Sequence, residues 1–144
     1  MKHKLLYLFL LFVIVVTGCA KKSTENVAPP IPSGTFTGEY QRYHRHTNQL
    51  PWDSVKTNLT INFTTPAYTY KVTGDTSTVH AGSYGTFGIT YPFINFNDKT
   101  YSPTTTATKA HLEGYYNYAY DGTNLQMYVT SSDTLIINYT LKKQ

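Results

Sequence analysis

The chain has one cysteine, Cys19, among its 144 residues. An internal disulfide is therefore impossible, and zinc sites built from cysteines at fixed spacing are excluded. Long hydrophobic runs are also scarce. The one marked run, Leu5 to Val16, has twelve residues. As a helix it would be about 18 Å long against a hydrocarbon core of about 30 Å, too short to span comfortably. No segment shows convincing helical periodicity, and no glycine-rich nucleotide loop is present. Gly82-Ser83-Tyr84 lacks the G-x-S-x-G elbow of a serine hydrolase. Lysines and arginines do not cluster into a nucleic-acid footprint, so no nucleic-acid partner is expected, and no cofactor is expected either.

What is present begins with Lys2, His3 and Lys4 ahead of the apolar run, and with small residues at its exit. A basic start, a short apolar stretch and a small-residue exit read as a secretory signal. With that signal removed, Lys2 and Lys4 go too, leaving ten basic against eight acidic residues and a formal charge of +2.

The exit reads Val16-Thr17-Gly18-Cys19, which resembles the lipobox of bacterial lipoproteins. That resemblance implies a diacylglycerol on the Cys19 sulfur, cleavage just before it and acylation of the new amine, with chains such as palmitate. Several acyl chains at about 0.8 kcal/mol per buried methylene make an effectively permanent anchor. The membrane is then the expected partner. Ala20 after the cysteine implies sorting to the outer membrane, and Lys21-Lys22-Ser23-Thr24 lacks the acidic run of surface export, which implies the periplasmic face.

The expected organisation is a signal peptide over 1–18, a lipidated tether over 19–33 and one domain over 34–144. Ala28-Pro-Pro-Ile-Pro32 near the tether's end favours extended geometry and cannot donate ladder hydrogen bonds. A flexible tether of this length reaches about 20 Å from the membrane. The domain, about 110 residues, is the size of a single unit.

Its pattern is all-β. Val55, Thr57, Leu59, Ile61 and Phe63 alternate with polar residues, as do Tyr68, Tyr70 and Val72, then Leu125, Met127 and Val129, and finally Leu135, Ile137, Tyr139 and Leu141. With Phe36–His46, Val79–Ile89, Phe93–Phe96 and His111–Tyr120 the count reaches about eight, and Gly74-Asp75 and Asp121-Gly122 supply turns. An antiparallel up-and-down barrel is the simplest closure, because it removes exposed edges. An open β-sandwich is the alternative. Gly34-Thr-Phe-Thr-Gly-Glu-Tyr40, Gly82-Ser-Tyr-Gly85, Leu112-Glu-Gly-Tyr-Tyr116 and Tyr139-Thr-Leu-Lys-Lys143 are similar to the small lipocalin-like lipoproteins of Gram-negative bacteria. The chain departs from lipocalins proper in having Phe36 where a Trp usually stands, no disulfide, and no late Arg over the barrel floor.

Chemistry-bearing residues are few. His44 and His46 share a strand face and are weak metal candidates, with His80 or His111 as a third ligand. Glu39 and Glu113 are the only strand carboxylates, a poor glycosidase pair, while Asp75, Asp98 and Asp121 sit in turn contexts. The tyrosines are the stronger signal, fourteen in the whole chain. Tyr116, Tyr118 and Tyr120 share one face, and Phe36, Tyr40, Arg42 and His44 another. Aromatic residues favour strands for packing alone, yet phenol rings also line ligand pockets. If both faces are interior, a small hydrophobic or amphipathic ligand with an acidic head suits them. The expectation is a non-catalytic lipoprotein that binds such a ligand, or a structural or protein-interaction lipoprotein with a filled barrel.

Overall fold

The computed structural model describes residues 30–47, 50–103, 108–131 and 134–144. Cys19 and most of the tether lie outside them. Eight strands follow in chain order: β1 (Gly34–His44), β2 (Asp53–Thr64), β3 (Thr69–Gly74), β4 (Tyr84–Thr90), β5 (Phe93–Asp98), β6 (Gly114–Tyr120), β7 (Asn124–Ser131) and β8 (Leu135–Lys143). Each pairs antiparallel with the next, and β8 returns to β1, closing an up-and-down barrel. The closing seam runs over nine residue pairs, from Phe36 opposite Lys143 to His44 opposite Leu135. An open sandwich has no such seam.

Side-chain alternation explains the closure. Along β2, Leu59, Ile61 and Phe63 are buried, whereas Lys56, Asn58, Asn62 and Thr64 are exposed. The outward face of β2 is therefore polar and its inward face apolar. Gly38 lets the seam close tightly, because a Cβ there would lie 2.1 Å from the carbonyl oxygen of Thr140. Gly122 adopts φ 97° in the β6–β7 turn, where the Asp121 carboxylate accepts from the backbone N–H of Thr123 at 2.8 Å and of Asn124 at 2.6 Å.

The interior is a column of rings. Phe36 meets Phe63 and Tyr120, each at 5.5 Å between centroids. Phe63 continues to Phe87 at 5.2 Å, and Phe96 to Tyr70 at 5.0 Å and Tyr116 at 5.8 Å. Tyr116 then reaches Tyr139 at 5.6 Å, and Tyr139 reaches Tyr40 at 5.0 Å. Most of these contacts are edge-to-face, the arrangement the ring quadrupole favours by about 0.5–1.5 kcal/mol per pair beyond burial.

The barrel's two ends differ. Short turns join β2 to β3, β4 to β5 and β6 to β7 at the end where β1 begins, called here the turn end. The connections 45–52, 75–83 and 99–113 lie at the other, the loop end. Three expected strands are shorter than the sequence pattern predicts. β1 stops at His44 rather than His46, β4 begins at Tyr84 rather than Val79, and β6 at Gly114 rather than His111. For β4 and β6 the reason is a plug. Val79–Gly82 and Ala110–Glu113 leave the wall and cross the loop end, joined by a parallel bridge between His80 and Ala110 and by Ala81 N–H donating to the Ala110 carbonyl at 2.8 Å. His80 and Leu112 are wholly buried there, so their apolar surroundings come from the barrel interior and not from strand pairing.

Candidate functional site at the loop end of the barrel

The residues expected to line a ligand site divide by level. Phe36 and Tyr120 belong to the turn-end half of the column, where the Tyr120 hydroxyl donates to the Gly122 carbonyl at 2.8 Å. Tyr118 is buried, its ring 6.4 Å from Tyr91. Tyr40 and Tyr116 lie nearer the loop end. Arg42 and His44 continue the inward face of β1 toward the mouth and are half-buried. Thus Phe36, Tyr40, Tyr116 and Tyr120 are inside, as expected, but their rings pack on one another along the axis.

A polar cluster sits beneath the plug. The His80 Nδ1–H faces the Ala81 carbonyl at 2.6 Å, which fixes the proton on Nδ1. Nε2 then accepts from the Tyr139 hydroxyl at 2.9 Å. Burial lowers the His80 pKa to about 4, because the charged form would lose its hydration. The same desolvation pushes Tyr40 and Tyr116 up to about 12 and Tyr139 well above its ordinary value. All four are neutral at physiological pH. The Tyr70 hydroxyl donates to the Leu112 carbonyl at 2.6 Å, tying the second plug segment to β3.

Beside the plug lies a cleft of about 410 Å³ lined by Tyr101, Lys109, His111, Glu113, Tyr115, Tyr116, Val129 and Ile137. Tyr116, Val129 and Ile137 form an apolar floor contributed by β6, β7 and β8. The β5–β6 connection supplies the polar wall. Its organiser is Asp98, whose side chain is fully buried. That carboxylate accepts from the backbone N–H and the hydroxyl of Thr100 at 2.7 and 2.6 Å, and its other oxygen meets His111 Nδ1 at 2.9 Å. Glu113 accepts the Asp98 backbone N–H, Lys109 donates to the Thr76 carbonyl at 3.0 Å, and the Tyr101 ring packs against His111 at 5.3 Å. His111, Glu113 and Lys109 are thus each oriented by a partner outside the cleft.

His44 and His46 do come together, with ring centroids 4.8 Å apart. Neither His80 nor His111 joins them: among the described residues no group of three or more His, Cys, Asp or Glu side chains could hold a metal ion. Glu39 forms an exposed ion pair with Lys56 at 3.2 Å, on the outside and apart from Glu113's role at Asp98. Sequence reasoning placed Asp98 only in a turn and His111 only as a spare metal ligand, and passed over Tyr101 and Lys109. The signal that pointed to them was length. The 99–113 connection is the longest in the barrel, and long ordered connections tend to carry function.

Comparison of the chain with protein-family models, with curated proteins and with solved structures finds no match in any of the three.

Proposed function

We propose that this chain is a non-catalytic cell-envelope lipoprotein, held by acyl chains on Cys19 to the periplasmic face of the outer membrane, that binds a small amphipathic ligand in the cleft at its barrel mouth. The cleft carries the reading: about 410 Å³, with an apolar floor on one side and oriented polar groups on the other. The ring-filled axis moves the expected binding position from the centre of the barrel to its rim. The attachment point supports this arrangement as well. β1 opens at Gly34 on the turn end, so a tether ending there joins the barrel opposite the cleft, and the loop end is presented away from the anchoring bilayer.

The test is native mass spectrometry of the protein extracted from its own host. A bound small molecule is expected, and Val129→Trp, which fills the cleft floor, is expected to remove it. The continuous ring packing favours a second reading, a filled barrel with a structural or protein-interaction role. A clean mass in the unaltered protein would support that reading and defeat the first.

A further inference from the structure

The polar wall of the cleft has a chemistry narrower than "amphipathic". Because Asp98 is an acceptor, His111 directs its Nδ1–H to it. Nε2 lies on the opposite edge of the ring, and in a neutral imidazole whose proton is on Nδ1 it is a lone-pair acceptor. Glu113 uses one carboxylate oxygen on the Asp98 N–H and retains acceptor capacity on the other. The lining carries one cationic side chain, Lys109, and one anionic one, Glu113. Flanking these acceptors are two partly open phenol rings, Tyr101, 38% exposed, and Tyr115, 65% exposed. Exposed flat rings beside fixed hydrogen-bond acceptors match a ligand with a C–H face and a hydroxyl edge.

We propose that the cleft binds a neutral sugar ring, seated against Tyr101 and Tyr115 with its hydroxyls donating to His111 Nε2 and Glu113. A pyranose is itself amphipathic: its axial C–H bonds form an apolar face suited to an aromatic ring, and its equatorial hydroxyls are donors. This assignment rests on the cleft being a binding site, as proposed above, and adds the ligand class. It also fits the cleft's placement away from the bilayer, where a water-soluble ligand or a glycan chain is within reach and a membrane acyl chain is not.

The experiment is ligand-observed saturation-transfer NMR on the full chain in phospholipid nanodiscs. The probes are neutral trisaccharides of glucose, mannose and N-acetylglucosamine, with octanoate as a charged amphiphile. At least one saccharide is expected to receive saturation, and Tyr115→Ala is expected to weaken its binding tenfold or more. Tyr115 is a surface side chain, so this variant keeps its fold. His111→Phe, which retains a ring and loses Nε2, is expected to do the same, while Tyr84→Ala, an exposed tyrosine outside the cleft, is expected to leave binding unchanged. Octanoate binding without any saccharide binding would overturn the sugar assignment and leave the cleft as a binding site. Saccharide binding that survives Tyr115→Ala would overturn the assignment as well, and binding of no probe at all would overturn both readings.

Discussion

Two buried tyrosines on neighbouring strands, Tyr40 and Tyr139, are both wholly shielded from solvent and pack ring to ring at 5.0 Å. Their hydroxyls have opposite fates. The Tyr139 hydroxyl donates to His80 Nε2, whereas the Tyr40 hydroxyl has no hydrogen-bond partner among the described residues. Removing one member of a buried pair leaves the other stranded at a cost of about 1–3 kcal/mol, while removing an unsatisfied hydroxyl is nearly free or stabilising. Tyr139→Phe is thus expected to lose about 1–3 kcal/mol in urea unfolding, and Tyr40→Phe to change stability by less than about 1 kcal/mol or to raise it. Nothing in the alternation pattern separates these residues, since both are simply inward-facing tyrosines. What distinguishes them is the arrival of His80 from another part of the chain.

At the scale of elements, the plug is the feature with the clearest energetic signature. His80 titrates near pH 6.5 in an unfolded chain and at about 4 in the barrel. As pH falls, the unfolded state therefore takes up its proton first. The contribution is fully present above pH 6.5, falls as pH drops toward about 4, and is constant below that. The depression corresponds to about 3 kcal/mol of stability at neutral pH that is absent at pH 4. Urea midpoints measured across this range are expected to fall in the native chain, and this part of the fall is expected to vanish in His80→Gln. The plug also shows why strand boundaries were misread. Leu112 is buried in phase with β6, whereas His80 is buried out of phase with Ser83, Gly85 and Phe87, and the burial of both comes from folding inward across the mouth. Alternation reports burial and not which neighbour supplies it.

For the whole molecule, the barrel and the proposed attachment are separable. Every strand pair and every core side chain named above lies between Gly34 and Lys143, so the lipid proposed on Cys19 is not needed to build the described core. Cys19→Ser is expected to abolish lipid attachment and signal cleavage at that site, with no change in the barrel's unfolding midpoint. Metabolic labelling with palmitate and fractionation of the envelope check the first outcome, and urea unfolding of solubilised protein checks the second. Continued palmitate labelling in the variant would rule out the anchor as placed.

By itself the sequence determined which residues of β2, β7 and β8 face inward, because a strand's two-residue period sorts side chains by face, and eight such segments with one apolar side have an economical solution in closure. It determined the Asp121-Gly122 turn locally as well, since glycine allows the positive φ and the Asp121 carboxylate accepts from the next backbone N–H groups, whereas Gly74-Asp75 opens the long 75–83 connection and not a tight turn. The tertiary structure alone decided what fills the barrel and where a ligand could go. Tyr40, Tyr116 and Tyr139 meet across three strands distant in the chain, and Asp98 finds His111 only when the long β5–β6 connection folds back. Those contacts depend on barrel radius, register and loop path, and none of these is a property of neighbouring residues.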